Sequence, residues 1–226
     1  MTSADPHRVA PARGTARRRG GLAEKRSAIL RAALTVFGRD GYTRASVGAI
    51  AQEAEVSTRT LYNHFGSKAQ VFLTVIEESA TQVRDAQLEL IERFMERPPG
   101  DPAEDLTVLA RAWASPLTRF PDHFALVRQV NAEAGHIPRE VVDAWLRTGP
   151  QAAMAGLARS MQVIAERIPL HIDDVDAAAS HLVLLTGTEI TNRSFWGAYQ
   201  LSDEEVEEII RSGVHTFLYG YLPRQA

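Results

Sequence analysis

Residues 56–68 read VSTRTLYNHFGSK. Serine is a favoured helix N-cap, so Ser57 and Ser67 each mark a helix start. The helix between them is short and carries Arg59, Asn63, His64 and two aromatics. Advancing about 100° per residue from Leu61 places Ser57, Thr58, His64 and Phe65 within roughly 60° of it. On the same projection Arg59 and Asn63 fall at about 160° and 200°, directly away from the packed side. Thr60 and Tyr62 flank them.

That free face has the chemistry of a reader of bases. Arginine pairs bidentately with guanine O6/N7, and asparagine with adenine N6/N7. Tyr62, His64 and Lys68 sit where hydroxyl, imidazole and ammonium groups can hold phosphates, beside the N–H groups that open the next helix. Upstream, Val47, Ile50, Ala51 and Ala54 give another short helix capped by Ser46. Ile29, Leu30, Ala33, Leu34 and Phe37 define a helix before it that ends near the G-R-D-G of residues 38–41. Two short helices separated by a tight turn, with a third packed before them, form the helix-turn-helix arrangement whose second helix enters the major groove. The candidate DNA contacts are Arg44, Ser46, Ser57, Thr58, Arg59, Thr60, Tyr62, Asn63, His64 and Lys68.

The charge distribution agrees. The 226-residue chain has a net charge of -3, but residues 1–70 hold 12 Lys and Arg against 5 Asp and Glu. The remainder holds 13 against 23, so a basic N-terminal third precedes an acidic body. A basic segment suits an anionic partner. Residues 1–21, MTSADPHRVAPARGTARRRGG, lack an apolar period and read as a disordered basic tail whose Arg17–Arg19 run can follow a phosphate backbone.

Beyond Ser67 the pattern stays helical. Ser67 and Gln70 have capping-box spacing, and a long fourth helix runs to the RPPGDP of residues 97–102. Further helices are expected at about 103–119, 121–133, 138–167, 174–198 and 203–219, with breaks or kinks at Pro116, Pro121, Pro138, Pro150 and Pro169. Ser202 and Glu205 cap the last. No strand alternation is sustained, so the fold class is all-α, with about nine helices. Residues 22–68 read as the DNA-binding domain and 69–226 as a larger helical regulatory and dimerisation domain.

The absence of cysteine excludes disulfides, thiolate metal sites and cysteine nucleophiles. No apolar run approaches the length of a membrane span, and no signal-peptide stretch opens the chain, so a cytoplasmic protein without membrane contact is expected. No cofactor, metal or catalytic residue is implied. Glu133 and His136 lie three apart as acid/base partners for a small helical enzyme, but Gly135 and Pro138 interrupt the helix and no nucleophile accompanies them.

The stretch ASVGAIAQEAEVSTRTLYNHFGSKAQVF, residues 45–72, resembles the signature of the TetR family of bacterial transcription regulators. Ile50-Ala51, Ala54, Val56-Ser57, Thr60-Leu61-Tyr62, His64-Phe65 and Ser67-Lys68 carry the resemblance, with Phe37 and Gly41-Tyr42 upstream. It implies a homodimer reading a palindromic operator, with Arg59 on a base and Tyr62, His64 and Lys68 on phosphates. The family's turn glycine is replaced by Glu55, which at positive φ costs on the order of 1 kcal/mol. Residues 115–197 resemble, more loosely, the AefR-type C-terminal regulatory domain, through Pro116-Leu117, Phe120-Pro121, Val127-Arg128, Asn131 to Ala134, Gly149-Pro150 and Leu184 to Gly187.

An effector pocket between helices wants aromatic walls and few polar groups. Trp113, Phe120, Phe124, Trp145, Met154 and Trp196 are candidate walls, with Met161 and Phe195, and His123, Arg128, Asn131 and Asn192 are orienting groups. The last two helices suit an isologous dimer seam through Leu182, Leu185, Ile210, Val214, Phe217 and Leu218. The expected function is a DNA-binding repressor released by a small apolar or amphipathic effector. A DNA-binding protein without a ligand is the alternative, separable by whether a compound panel shifts its melting.

Overall fold

A computed structural model describes residues 13–167 and 170–222. Nine helical runs follow one another among these residues and no strand does. They are α1 (Arg13–Arg44), α2 (Val47–Glu53), α3 (Thr58–Phe65), α4 (Lys68–Met95), α5 (102–119), α6 (Pro121–Glu133), α7 (139–167), α8 (175–193) and α9 (Asp203–Tyr221). Two of the long runs contain a π-helical turn, Arg147–Gln151 in α7 and Leu184–Thr188 in α8. Pro150, expected to mark a kink, is accommodated in the first. No helix of the described residues is long and apolar enough to cross a membrane.

Caps explain the boundaries. The hydroxyls of Ser46, Ser57 and Ser67 accept from the N–H groups of Ala49, Thr60 and Gln70. Ser202 and Glu205 form the full reciprocal box. The box expected at Ser67 is only half made, because the Ser67 N–H is already donated to the Phe65 carbonyl at 2.9 Å. Pro116 and Pro121 each open a helical segment, where a missing N–H costs nothing. Pro169 lies outside the described residues.

Three expectations need correction. Helix α1 begins at Arg13 rather than Leu22, so part of the segment read as a disordered tail is helical. Alanine and arginine are strong helix formers and extend the helix past the glycine pair. Residues 1–12, and the side chains through residue 20, including Arg17–Arg19, lie outside the described structure. Helix α8 ends at Arg193 rather than near 198, because Phe195, Trp196 and Gly197 all take positive φ. The projection also put Ser57 and Thr58 on the packed side of α3, yet both are exposed. They occupy its first positions, where the Ser57 hydroxyl serves as a cap rather than a core contact.

Two hydrophobic cores divide the molecule. The first joins α1–α3 and the start of α4 to α6 and the beginning of α7, through residues such as Phe37, Leu61, Phe72, Leu126 and Trp145. An aromatic cluster seals it: Phe37 meets Phe72 edge-on at 4.8 Å, and Tyr42 lies 4.9 Å from Phe72. The second joins the end of α4 to α5, α7, α8 and α9. Helix α4 contributes to both, so it ties the N-terminal unit to the C-terminal one. The first core extends past residue 69, since α6 and α7 pack against α1–α3 within it.

Candidate nucleic-acid interface and internal cavity

Helix α3 is fastened by two side chains. Leu61 is fully buried and Phe65 nearly so, and Arg26 lies over the Phe65 ring while bridging to Glu78 of α4 at 2.8 Å. Arg59, Tyr62 and Asn63 project into solvent, with Tyr62 48% exposed. His64 and Thr60 are half-buried, and the Thr60 and Ser57 hydroxyls share a 2.8 Å hydrogen bond. Arg44 and Ser46 are exposed at the entry to α2, and the Arg44 Nε donates to the Asp40 carbonyl. Asp40 is itself held below the usual carboxylate range by a hydrogen bond from Arg39. Glu55 adopts φ +53, the left-handed turn conformation anticipated for this position.

Lys68 sits less freely. Its ammonium donates to the Thr43 carbonyl at 3.2 Å and lies 4.7 Å from the Tyr42 ring centre. Burial pulls its pKa below the ordinary value, with Glu133 opposing. Glu133 of α6 accepts from the Thr43 N–H at 2.7 Å and the Thr43 hydroxyl at 2.9 Å. A Cβ at Gly41, where φ is +77, would fall 2.2 Å from a Glu133 carboxylate oxygen, so only glycine admits this contact. Gln129, one turn earlier, donates to the Gly38 carbonyl at 3.3 Å. The carboxylate considered for acid/base chemistry thus latches the 41–43 turn. Nothing in the apolar pattern marked Thr43, because its partner lies 90 residues away.

A cavity of about 470 Å³ lies among α4–α8. Eight of the twelve sequence candidates line it: Trp113, His123, Phe124, Asn131, Trp145, Met154, Asn192 and Trp196. Phe120 does not, because it caps α6 and stacks under Arg119 instead. Nor does Arg128, whose guanidinium donates to the Trp196 carbonyl at 2.6 Å and so secures the segment carrying that wall. Met161 is fully buried core, and Phe195 is 64% exposed. Sequence reading missed Val83, Arg84 and Gln87, which with Ala80 form an i, i+3, i+4, i+7 row on α4. Projecting α4 as α3 was projected would have found them.

The polar groups of the cavity are specific. His123 is buried, with Nδ1 2.8 Å from the Ser79 hydroxyl, and burial lowers its pKa to about 4. The Arg84 guanidinium is occupied by Asp85, at 2.9 and 2.7 Å, and by the Thr148 carbonyl at 3.0 Å. Both π-helical turns reach the walls through Gly149, Pro150 and Gly187. A Cβ at Gly149 would lie 2.8 Å from that of Ala80, so this turn packs directly on α4.

The dimer-seam candidates are placed differently. Leu182, Ile210, Val214, Phe217 and Leu218 are buried within their own subunit, and Leu185 is half-buried. The five buried residues fill the second core, and Leu185 packs against it. The exposed apolar residues of the same helices are Leu184, at 58%, and Tyr219, at 75%.

The family model of bacterial regulatory proteins of the tetR family matches residues 29–75. That of the AefR-like transcriptional repressor C-terminal domain matches residues 104–223. The transcriptional regulator TcmR of Streptomyces glaucescens is 30% identical over 163 residues, 68% of this chain and 64% of that protein. The curated relatives are matched over 31% to 64% of their own length, less than two thirds in each case. A crystal structure of a TetR-family regulator from Mesorhizobium loti superposes with a TM-score of 0.78 at 28% identity, over 89% of this chain and 98% of that one. The Flavonoid-responsive Regulator FrrA superposes with a TM-score of 0.67 at 26% identity, over 90% and 100%. These families and relatives are transcriptional regulators, none of them an enzyme.

Proposed function

The chain belongs to the TetR family of DNA-binding transcription regulators, and from that premise we propose that it is a repressor released from a palindromic operator by a small effector. The observation that carries the reading is α3, where Leu61 and Phe65 anchor a helix whose Arg59 and Asn63 are left free. Arg59 and Asn63 read base edges. Tyr62, His64 and Lys68 hold phosphates, with Lys68 positioned against the Thr43 carbonyl.

Release is a population shift. An effector that binds better to one spacing of the two reading heads pulls them out of register with major grooves about 34 Å apart. Two helices carry that change. Helix α4 lines the cavity through Val83 and Arg84 and begins at Lys68, beside α3. Helix α6 lines it through His123 and Phe124 and ends at Glu133 on the Thr43 turn. The homodimer forms through the solvent side of α8 and α9, where Leu184 and Tyr219 are exposed. Leu184→Asp is expected to give monomers by light scattering while the melting temperature stays near wild type.

The test of the reading head is selection of binding sites from a random DNA pool. Arg59→Ala is expected to lose about 1–3 kcal/mol at one base position of the selected site. Lys68→Ala is expected to weaken all sequences alike and flatten the salt dependence. Unchanged site preference in Arg59→Ala would mean that α3 does not read the bases.

A further inference from the structure

The inference here concerns the chemical class of the effector, and it rests on the reading of the cavity as an effector site. The walls are aromatic: Trp113, Trp145 and Trp196 all line it, together with Phe124. These three are every tryptophan of the chain. Flat π surfaces on several sides favour a flat, apolar occupant through offset stacking and edge contacts.

Charge is absent from the open part of the walls. Among the lining residues Arg84 carries the one permanent charge, and Asp85 and the Thr148 carbonyl occupy its guanidinium. A carboxylate or ammonium group carried to the buried end of this cavity, beside His123 and Trp145, would lose its hydration and find no free counter-charge, which is strongly unfavourable.

The amides of Gln87, Asn131 and Asn192 offer donors and acceptors alike, whereas the buried Ser79–His123 pair fixes a donor. The Ser79 hydroxyl is buried and His123 Nδ1 is its one hydrogen-bond partner among the described residues. A buried hydroxyl hydrogen left without an acceptor is costly, so Ser79 donates to Nδ1. The neutral imidazole must then carry its proton on Nε2, and the ring nitrogen left for a ligand is an N–H donor. The side chain's burial keeps this ring unprotonated at neutral pH.

We propose that the effector is an uncharged, flat aromatic compound bearing a hydrogen-bond acceptor, a ring ketone being the simplest, and that His123 Nε2–H is the group that recognises the acceptor. Ser79 is the positioning residue, since its hydroxyl sets the tautomer that makes Nε2 a donor.

The three tryptophans supply the readout. Quenching of intrinsic fluorescence and shift of the melting temperature are measured with fluorenone, with fluorene, which lacks the ketone, and with a fluorenone carboxylate. Fluorenone is expected to bind at least about tenfold tighter than either of the others, the worth of one buried hydrogen bond or of a charge desolvated without a partner. In His123→Phe the preference for fluorenone over fluorene is expected to vanish. In Ser79→Ala, a smaller change that keeps the imidazole, the ketone preference is expected to shrink as well. Equal binding of fluorenone and fluorene by the wild type, tighter binding of the carboxylate, or a preference surviving in both variants would overturn the assignment while leaving an effector site in place. Silence from all three probes would overturn the cavity as an effector site, and with it the sensing half of the proposed function.

Discussion

The two hydrophobic cores draw on similar residues and reach different ends. At the DNA-binding end Phe37, Tyr42 and Phe72 close on one another, and Phe37 and Phe72 are fully buried. Where the two cores meet, the tryptophans, Phe124 and Met154 stand around about 470 Å³ of space. Protein interiors normally pack to crystal density, so a void of this size is maintained by a surrounding shell that cannot collapse into it. Here the shell includes two π-helical turns, one of them seated on Ala80 through Gly149. A reading head needs one geometry, which dense packing provides. A sensor needs two geometries of similar free energy, and a hollow core provides room for them.

The largest expected effect separates dense from hollow. Phe37→Ala leaves an uncollapsible hole in the first core and is expected to cost about 3–5 kcal/mol in urea denaturation. Met154→Ala removes a half-buried wall that already faces space. It is expected to cost well under about 2 kcal/mol, the low end for truncations of this kind. Equal losses would mean that the cavity is filled in solution.

Acid sharpens the contrast next. His123 is neutral in the folded protein, with its pKa lowered from 6.5 to about 4 by burial. The unfolded chain therefore takes up this proton first. The associated stability is complete above about pH 6.5 and is lost as pH falls toward 4, by up to about 3 kcal/mol. His123→Phe is expected to lack this component, read as the difference between the two pH–stability curves.

The latch between the halves comes third. Glu133→Gln keeps the shape of the contact to Thr43 but removes the charge, and is expected to cost about 1–2 kcal/mol of stability. Its diagnostic effect is on coupling. The change in operator affinity on adding effector is expected to shrink, whereas site preference is expected to stay as in the wild type. The smallest effect is expected at Glu55, where φ is +53. Glu55→Gly relieves left-handed strain but adds freedom to the unfolded chain, leaving a net gain of up to about 1 kcal/mol in thermal unfolding.

Local signals were legible in the sequence because their causes are local. The caps at Ser46, Ser57 and Ser202, the anchoring of α3 by Leu61 and Phe65, and the strained turn at Glu55 each depend on neighbours within one or two helical turns. Eight of twelve cavity candidates do line the cavity, since aromatic and amide side chains clustered in the right helices. Five of the six seam candidates are core residues of their own subunit, for a specific reason. Apolar periodicity marks the face that Ile210, Val214 and Phe217 bury, but not whether the covering surface belongs to the same subunit or to another.

What the sequence by itself determined is an all-helical chain with a helix-turn-helix, and Arg59 and Asn63 turned outward from its second helix. Its geometry follows from helical period and capping, which act over a few residues. Tertiary structure alone decided that Glu133 holds Thr43, that Ser79 orients His123, and that three distant tryptophans surround one space. The first two contacts join residues 90 and 44 positions apart, and no local period records which helices will meet.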